Sequence, residues 1–470
     1  MVTFSVSLIV LIVGYFLYGK FVERVFAPDP SRITPALSKA DGVDYIPMPT
    51  WKIFMIQFLN IAGLGPIFGA IMGAKFGASA YLWIVFGTLL AGATHDFISG
   101  MISLREDGLN LPEIIGKYLG PKARVLMRAM SLILMILVGA VFVSGPAGLL
   151  AKLTPGYLDM IFWVNVIFIY YLLATLLPVD KIIGKIYPFF AGALLFMAIG
   201  IMVALFWNHP AIPELTDGLH NTHPDKLPVF PIMFISIACG AISGFHATQS
   251  PMMARCMKSE RLGRPIFYGA MVAEGIVALI WAAGANYFYM KNGMAESNAS
   301  IIVDAITREW LGPIGCVLAM LGVIAAPIST GDTALRTARL IAADFLHVDQ
   351  KSLVSRLTIT VPIFAITIGV LVFSLQDAAG FNIIWRYFSW FNQVLALITL
   401  WASTVYLVVN RRFYYITLIP ALFMTMVCVS YICVAPEGFQ LSPMLSYIIG
   451  GVATLSLLVW FIAWNIKTNK

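Results

Sequence analysis

The chain reads as an all-α polytopic membrane protein of about thirteen spans, an inverted repeat of five plus five helices with one extra span before it and two after. Three observations lead there. Of 470 residues, 60% are hydrophobic and only 11% are charged, too few charges to cover a soluble domain. Apolar runs of about 20 residues, the length that crosses a bilayer, recur along the whole chain. Two of these runs are interrupted near the middle by glycines with polar neighbours, at Asn60-Ile-Ala-Gly-Leu-Gly-Pro66 and at Cys239-Gly-Ala-Ile-Ser-Gly-Phe-His-Ala-Thr-Gln-Ser-Pro251. Lipid offers no partner to freed N–H and C=O groups, so such breaks persist only where protein buries them or a cavity wets them. Paired breaks in corresponding halves mark a transporter's binding site.

The elements are taken in chain order. Thr3–Phe21 lacks the basic start and small-residue cleavage site of a signal peptide and is read as an anchor; with the polar stretch Pro28–Pro49 it makes up region 1–50. Trp51–Gly73, Ala78–Leu104, Arg124–Leu150, Leu158–Leu177 and Ile182–Trp207 form a first group, region 51–207. Val229–Met253, Ile266–Met290, Gly315–Leu335, Leu357–Leu375 and Ile383–Val409 form a second, region 208–410. Phe413–Val434 and Leu445–Ile466 close the chain as region 411–470.

Alternate connections differ in Lys and Arg, which gather on the cytoplasmic side. One set holds Lys20, Arg24, Arg32, Lys39, Lys52, Arg105, Lys117, Lys122, Arg124, Lys181, Lys185, Arg255, Lys258, Arg261 and Arg264, and continues through Arg336, Arg339, Lys351, Arg356, Arg411, Arg412, Lys467 and Lys470. The other offers little beyond Lys75, Lys152, Lys226, Lys291 and Arg308. This predicts a multi-pass protein of the cytoplasmic (inner) membrane with its N-terminus outside and its C-terminus in the cytoplasm. It also accounts for the net charge of +7 without nucleic-acid binding. The two broken segments then cross the membrane in opposite directions, as the opening helices of an inverted repeat do.

Other chemistries find little support. Cys239, Cys256, Cys316, Cys428 and Cys433 lie in or beside apolar runs without metal-ligand spacing and read as small core residues. No G-x-x-x-x-G-K-[ST] loop is present, so any pumping must draw on an ion gradient. No nucleophile with a base and oxyanion donors can be assembled, which argues against an enzyme. A nutrient sensor with a transporter-like shell is the reading from another class, and no appended signalling domain supports it.

Asn60-Ile-Ala-Gly-Leu-Gly-Pro66 resembles the unwound first helix of LeuT-fold transporters, and the whole chain resembles the carbon starvation protein A (CstA) family in a shorter form. The stretches that carry the resemblance are Gln57–Gly69, Ala91-Gly-Ala-Thr-His-Asp-Phe97, Leu111–Gly116, Gly240–Pro251, Pro327-Ile-Ser-Thr-Gly-Asp-Thr333 and Trp385-Arg-Tyr-Phe-Ser-Trp390. They run through both repeats; longer members of the family extend past this chain's C-terminal end. The resemblance implies secondary transport of small peptides or pyruvate, driven by protons, with no cofactor. A sodium-coupled amino-acid carrier is the alternative in the same class.

Candidate substrate-binding residues are those of the breaks: Asn60, Gly63, Gly65, Pro66, Ser243, Gly244, His246 and Gln249. Half-helix N-termini there can face an anionic group, and unwound carbonyls a cation. Gly65, Gly69 and Gly73, spaced by four, also read as a packing groove. His246 either binds a substrate carboxylate, relays a proton or caps a freed carbonyl. His95 and Asp96 are a second intramembrane pair; neighbours on a helix point about 100° apart, so different partners are expected for the two. Asp96 is a coupling carboxylate or a helix cap. Glu274 has no charged neighbour in sequence and must be protonated, paired across helices or wet. Ser329, Thr330, Asp332 and Thr333 complete the ion-coupling candidates, with a possible Na+ site at Ser329 and Thr330 and a salt bridge from Asp332 to Arg336 as the plainer reading. Arg386, Asn392 and Gln393 are expected along the path, Trp385, Tyr387 and Trp390 in packing or an interface belt.

Overall fold

The structure, a computed structural model, describes residues 1–41, 45–176, 183–294, 296, 298–348, 352–376 and 378–468. Leu177, Lys181, Ile182, Lys351 and Lys470 of the sequence reading lie outside the described residues. Every regular element among the described residues is helical. In chain order they are α1 (Val2–Phe26), the single turn α2 (Pro35–Ser38), α3 (Thr50–Ile61), α4 (Gly65–Ala74), α5 (Ser79–Arg105), α6 (Leu111–Leu119), α7 (Pro121–Leu153), α8 (Met160–Leu176) and α9 (Ile183–Asn208). After a connection come short turns at Val229–Met233 and Phe234–Ser236, then α10 (Gly244–Ala254), α11 (Gly269–Asn292), α12 (Ala299–Leu346), α13 (Leu353–Leu375), α14 (Ala378–Val409), α15 (Tyr415–Val434) and α16 (Pro443–Thr468).

Among the described residues, ten helices are long and apolar enough to cross a membrane, and α3 with α4, bent by 46° at the glycines, makes an eleventh candidate. The sequence reading has about thirteen. The difference lies in α8, only 17 residues long, and in the second broken segment, whose pieces are each too short to pass alone. The region read as a span from Gly315 belongs to the longer α12, which turns at Gly312 (φ +66°) beside Pro313. Several helices carry proline in their first turn, among them α4 at Pro66, α6 at Pro112 and α7 at Pro121.

Large apolar side chains stand exposed along α1 (Ile9, Phe16, Leu17), α13 (Val361, Ile366, Val372) and α16 (Leu455, Val459, Trp460). In water such surfaces would drive aggregation; against acyl chains they cost nothing. The broken helices sit inside. α3 packs against α9, α10, α11 and α12, and α4 against α11.

Polar ties hold α1 to this interior at both ends. Glu214, in the connection between the two helix groups, accepts from the backbone N–H of Val2 (3.0 Å) and Thr3 (2.6 Å). Glu23 pairs with Arg264 at 2.9 Å. At the same end, Arg105 donates to both oxygens of the buried Glu260 (3.0 and 2.9 Å) and to Ala27 O (2.9 Å), while Glu260 accepts from Asp29 N (2.7 Å). Arg32, Lys39 and Arg255 join that end through Arg105 O, Asp107 and Gly108 O.

Backbones approach closely where α10 crosses α14. A Cβ on Gly244 would overlap Ala396 N and Leu395 Cβ and come within 2.5 Å of Asn392 O, whereas one on Gly369, mid-α13, would meet nothing within 4 Å. Gly244→Ala is therefore expected to cost about 1–3 kcal/mol from overpacking and Gly369→Ala to stabilise by up to ~1 kcal/mol, both read as thermal melting of the purified protein.

Candidate functional site

The first break closes on itself. Pro66 at the start of α4 has no N–H to satisfy, and the intervening chain makes local turns: Ala62 N–H to Phe58 O (2.8 Å), Gly63 N–H to Ile61 O (2.9 Å) and Phe68 N–H to Leu64 O (2.8 Å). Thr330 reaches this point from α12, its Oγ1 3.4 Å from the carbonyl oxygens of Leu59 and Asn60 while donating to Ala326 O at 2.9 Å.

The second break is held from outside. Trp83 Nε1 donates to Ile237 O (3.3 Å), Thr88 Oγ1 to Gly240 O (3.1 Å) and Gln393 Nε2 to Ile242 O (2.9 Å). Asn392 Oδ1 accepts from Ser243 Oγ (3.1 Å) and from Phe245 N (2.8 Å), capping α10. One N–H of the first turn of α10, that of Phe245, thus already has an acceptor in place. Each such bond contributes about 1 kcal/mol, but a buried carbonyl left without one costs about 1–3 kcal/mol, so the clamps are required rather than incidental.

The two breaks touch. A Cβ on Gly65 would overlap Cys239, and one on Gly240 would lie 3.6 Å from Pro66 Cα. Gly69 and Gly73 pack on Ser236 O and Ile237, so for these two the packing-groove reading is what the geometry supports.

Four titratable side chains line up beside the breaks, all fully buried: His95 and Asp96 on α5, His246 on α10 and Glu274 on α11. His95 Nδ1 lies 2.7 Å from Asp96 Oδ1, His246 Nδ1 lies 2.8 Å from Asp96 Oδ2, and His246 Nε2 lies 3.3 Å from Glu274 Oε2. The expected separation of His95 and Asp96 is corrected: they are bonded to each other. The ten-residue π-helical stretch Trp83–Gly92 just before them shifts the phase of α5, and their side chains curl together across the 100° between them. An ionised Asp96 only accepts, so each histidine donates to it through Nδ1, which leaves His246 Nε2 toward Glu274. That last contact is attractive only when it holds a proton, on either partner; without one, a carboxylate faces a ring lone pair.

The remaining candidates divide. Ser329 and Thr333 donate to carbonyls of their own helix, Ala326 O (2.7 Å) and Thr330 O (2.9 Å), and Asp332 lies 3.8 Å from Arg336. Asn60 is fully buried with neither amide atom bonded; Gln249 Nε2 donates to Thr248 Oγ1 (3.0 Å) and its Oε1 has no partner. Arg386 leaves the path for Glu437, at 3.1 Å, and Tyr387 and Trp390 bond Glu437 O and Cys428 O, pinning α14 to the C-terminal helices. The sequence reading missed Gln57, also buried with both amide atoms unpartnered; its place three residues before Asn60, on the same face of α3, was the available signal. Nothing in the sequence marked the clamps Trp83 and Thr88. Among the described residues no group of three or more His, Cys, Asp or Glu is arranged to hold a metal ion.

Known proteins resemble this chain along its length. An uncharacterized membrane protein of Haemophilus influenzae is 40% identical over 70% of this chain and 99% of its own. The peptide transporter CstA of Bacillus subtilis is 28% identical over 90% of this chain and 88% of its own. The pyruvate/proton symporter BtsT of Escherichia coli is 30% identical over 58% of this chain and about half, 48%, of its own length. Two LeuT-fold structures share the architecture: a manganese transporter of Eremococcus coleocola (TM-score 0.57, 14% identity, 92% and 99% of the two chains) and MhsT in complex with L-phenylalanine (0.56, 15%, 87% and 97%). The profile of the carbon starvation protein CstA family matches residues 1–162, 151–305 and 290–431, through both broken segments and into α15, and the chain belongs to that family of membrane transporters.

Proposed function

We propose that the chain is a proton-coupled symporter that imports small peptides or pyruvate across the cytoplasmic membrane by alternating access, with its N-terminus outside. The observation that carries this reading is the buried line His95, Asp96, His246, Glu274, which joins α5, α10 and α11 beside the two breaks. A proton on the His246–Glu274 contact binds α10 to α11; its loss sets a lone pair against a carboxylate and drives the two apart. Proton occupancy thereby acts on the helix that carries the second break. His95 and the clamps hold Asp96 and His246 in register. The helix groups of regions 51–207 and 208–410 are the bodies that rock against each other, and the names of the relatives supply both candidate substrates.

A sodium-coupled version has one observation in its favour, the approach of Thr330 Oγ1 to the carbonyls of Leu59 and Asn60. It is weaker, because it rests on three oxygens, fewer than a hard cation takes.

In proteoliposomes with an inward proton gradient and no sodium, labelled dipeptide or pyruvate is expected to accumulate, and a protonophore to abolish it. Accumulation that requires sodium, and fails with choline in its place, would replace protons by sodium. Asp96→Asn keeps shape but removes the acceptor charge between the histidines. It is expected to lower gradient-driven accumulation about tenfold or more while substrate exchange at equal pH persists, since a buried ion-pair partner is worth about 3–5 kcal/mol. Equal losses in both assays would mean that Asp96 merely supports the fold.

A further inference from the structure

We propose that the membrane face of α5 binds one diacyl phospholipid, whose two chains lie in two grooves on either side of Phe86. The leaflet concerned is the one that holds the N-terminal end of α1. The proposal needs only the membrane setting and stands apart from the transport cycle.

Two apolar grooves adjoin on this face. The first encloses about 270 Å³ between α1 and the start of α5, against Val2, Val6, Val10, Tyr81 and Val85. The second encloses about 480 Å³ between α5, the turns before α10 and α15, against Trp83, Leu90, Met233, Phe234, Ile419 and Phe423. Leu82 and Phe86 line both grooves and form the ridge that divides them. Phe86 is 51% exposed, with Val6 (53%) on one side and Ile419 (63%) on the other, so both grooves open outward.

Their dimensions are those of a lipid with two tails. On α5 the second groove extends from Ser79 to Ala91, at most about 18 Å at the helical rise, against roughly 15 Å of hydrocarbon in one leaflet. Both grooves reach the connection that follows α9, the first at Thr216 and the second at Leu219. Those residues are three apart and so lie within about 11 Å of each other, as the origins of two chains on one glycerol must. A single chain would leave one groove unfilled. A helix of another protein, about 10 Å across, would ride on Phe86 and leave both open beneath it. Lipid tails are already apolar, so the gain is dispersion contact, which the groove walls make only with atoms that fill them.

The site also touches the machinery of the second break. Trp83 packs on Phe234 (4.8 Å between ring centroids) and Phe423 (5.5 Å), and its Nε1 is the donor to Ile237 O at 3.3 Å. The chain in the second groove thus lies against the side chain that clamps that break.

The test is native mass spectrometry of the delipidated protein in mild detergent, with palmitoyl-oleoyl phosphatidylethanolamine and its single-chain lyso form as probes. One diacyl lipid per chain is expected, held about tenfold more tightly than the lyso form, a step of about 1.4 kcal/mol. Val6→Trp and Ile419→Trp each set an indole into one groove from an exposed position, and Phe86→Ala removes the ridge. Each is expected to weaken retention about tenfold, while Ile366→Trp, at a 56% exposed site on α13, leaves it unchanged. Equal retention of the two probes, or an effect of only one groove variant, would mean a single-chain site and overturn the proposal. Retention that no variant alters, or that Ile366→Trp alters equally, would mean annular lipid only and overturn it too. A dimer that Val6→Trp and Ile419→Trp dissociate, with no lipid retained, would make this face an interface between copies instead.

Discussion

Everything near the centre of this protein answers one constraint: the backbone is opened twice where no water can close it. An α-helix in lipid satisfies its own N–H and C=O groups, and each break frees several of them. The two breaks meet the demand differently. The first uses turns of its own and a proline that has no donor to lose. The second depends on Trp83 and Thr88 of α5 and on Asn392 and Gln393 of α14. Any shift of α5 or α14 therefore reaches the hydrogen bonds of the second break directly, while the first keeps its own turns, with Thr330 of α12 beside its carbonyls and Cys239 of the second break packed on Gly65.

That asymmetry places the titratable line at the less autonomous break. Asp96 belongs to the same helix as two of the clamps, and His246 lies two residues past the start of α10, which Asn392 caps. The charge state of the line and the hydrogen bonds of the break thus share α5 and α10. Glycines bring these elements and α11 close enough: Gly275 lies against Thr88, Gly240 against Ala278, and Gly92 against Ala241 O. Small residues in this protein serve backbone approach between opened segments, where van der Waals contact and hydrogen bonds must replace a hydrophobic drive that lipid does not supply.

Much of this was legible in the sequence, for physical reasons. The breaks stood out because Gly63, Gly65, Pro66 and the polar run from Ser243 to Ser250 have no place in a plain lipid-facing helix. The importance of His246 and Glu274 came from the cost of burying either alone, and each proved to be the other's partner. What the sequence withheld was phase and partner. The π-helical stretch in α5 changed which way His95 and Asp96 project, and a pattern read at 3.6 residues per turn carries no sign of it. Arg386 looked like a path residue because its companion Glu437 lies 51 positions away in a connection with no motif. The clamps Trp83 and Thr88 read as ordinary span residues, since their meaning depends on a carbonyl some 150 positions later.

The ties of α1 bear on how the protein is made. This helix leaves the ribosome well ahead of Glu214, Glu260 and Arg264, which fasten its two ends from more than 200 residues later in the chain. Its largely apolar outer face lets it wait in the bilayer without partners. Chains interrupted before Glu260 would carry an inserted but undocked first helix, with Arg105 still lacking its carboxylate. Assembly of the α1 edge is thereby a late event, and quality control in the membrane has a defined moment, the arrival of the segment from Glu260 to Arg264, at which an unfinished edge becomes a finished one.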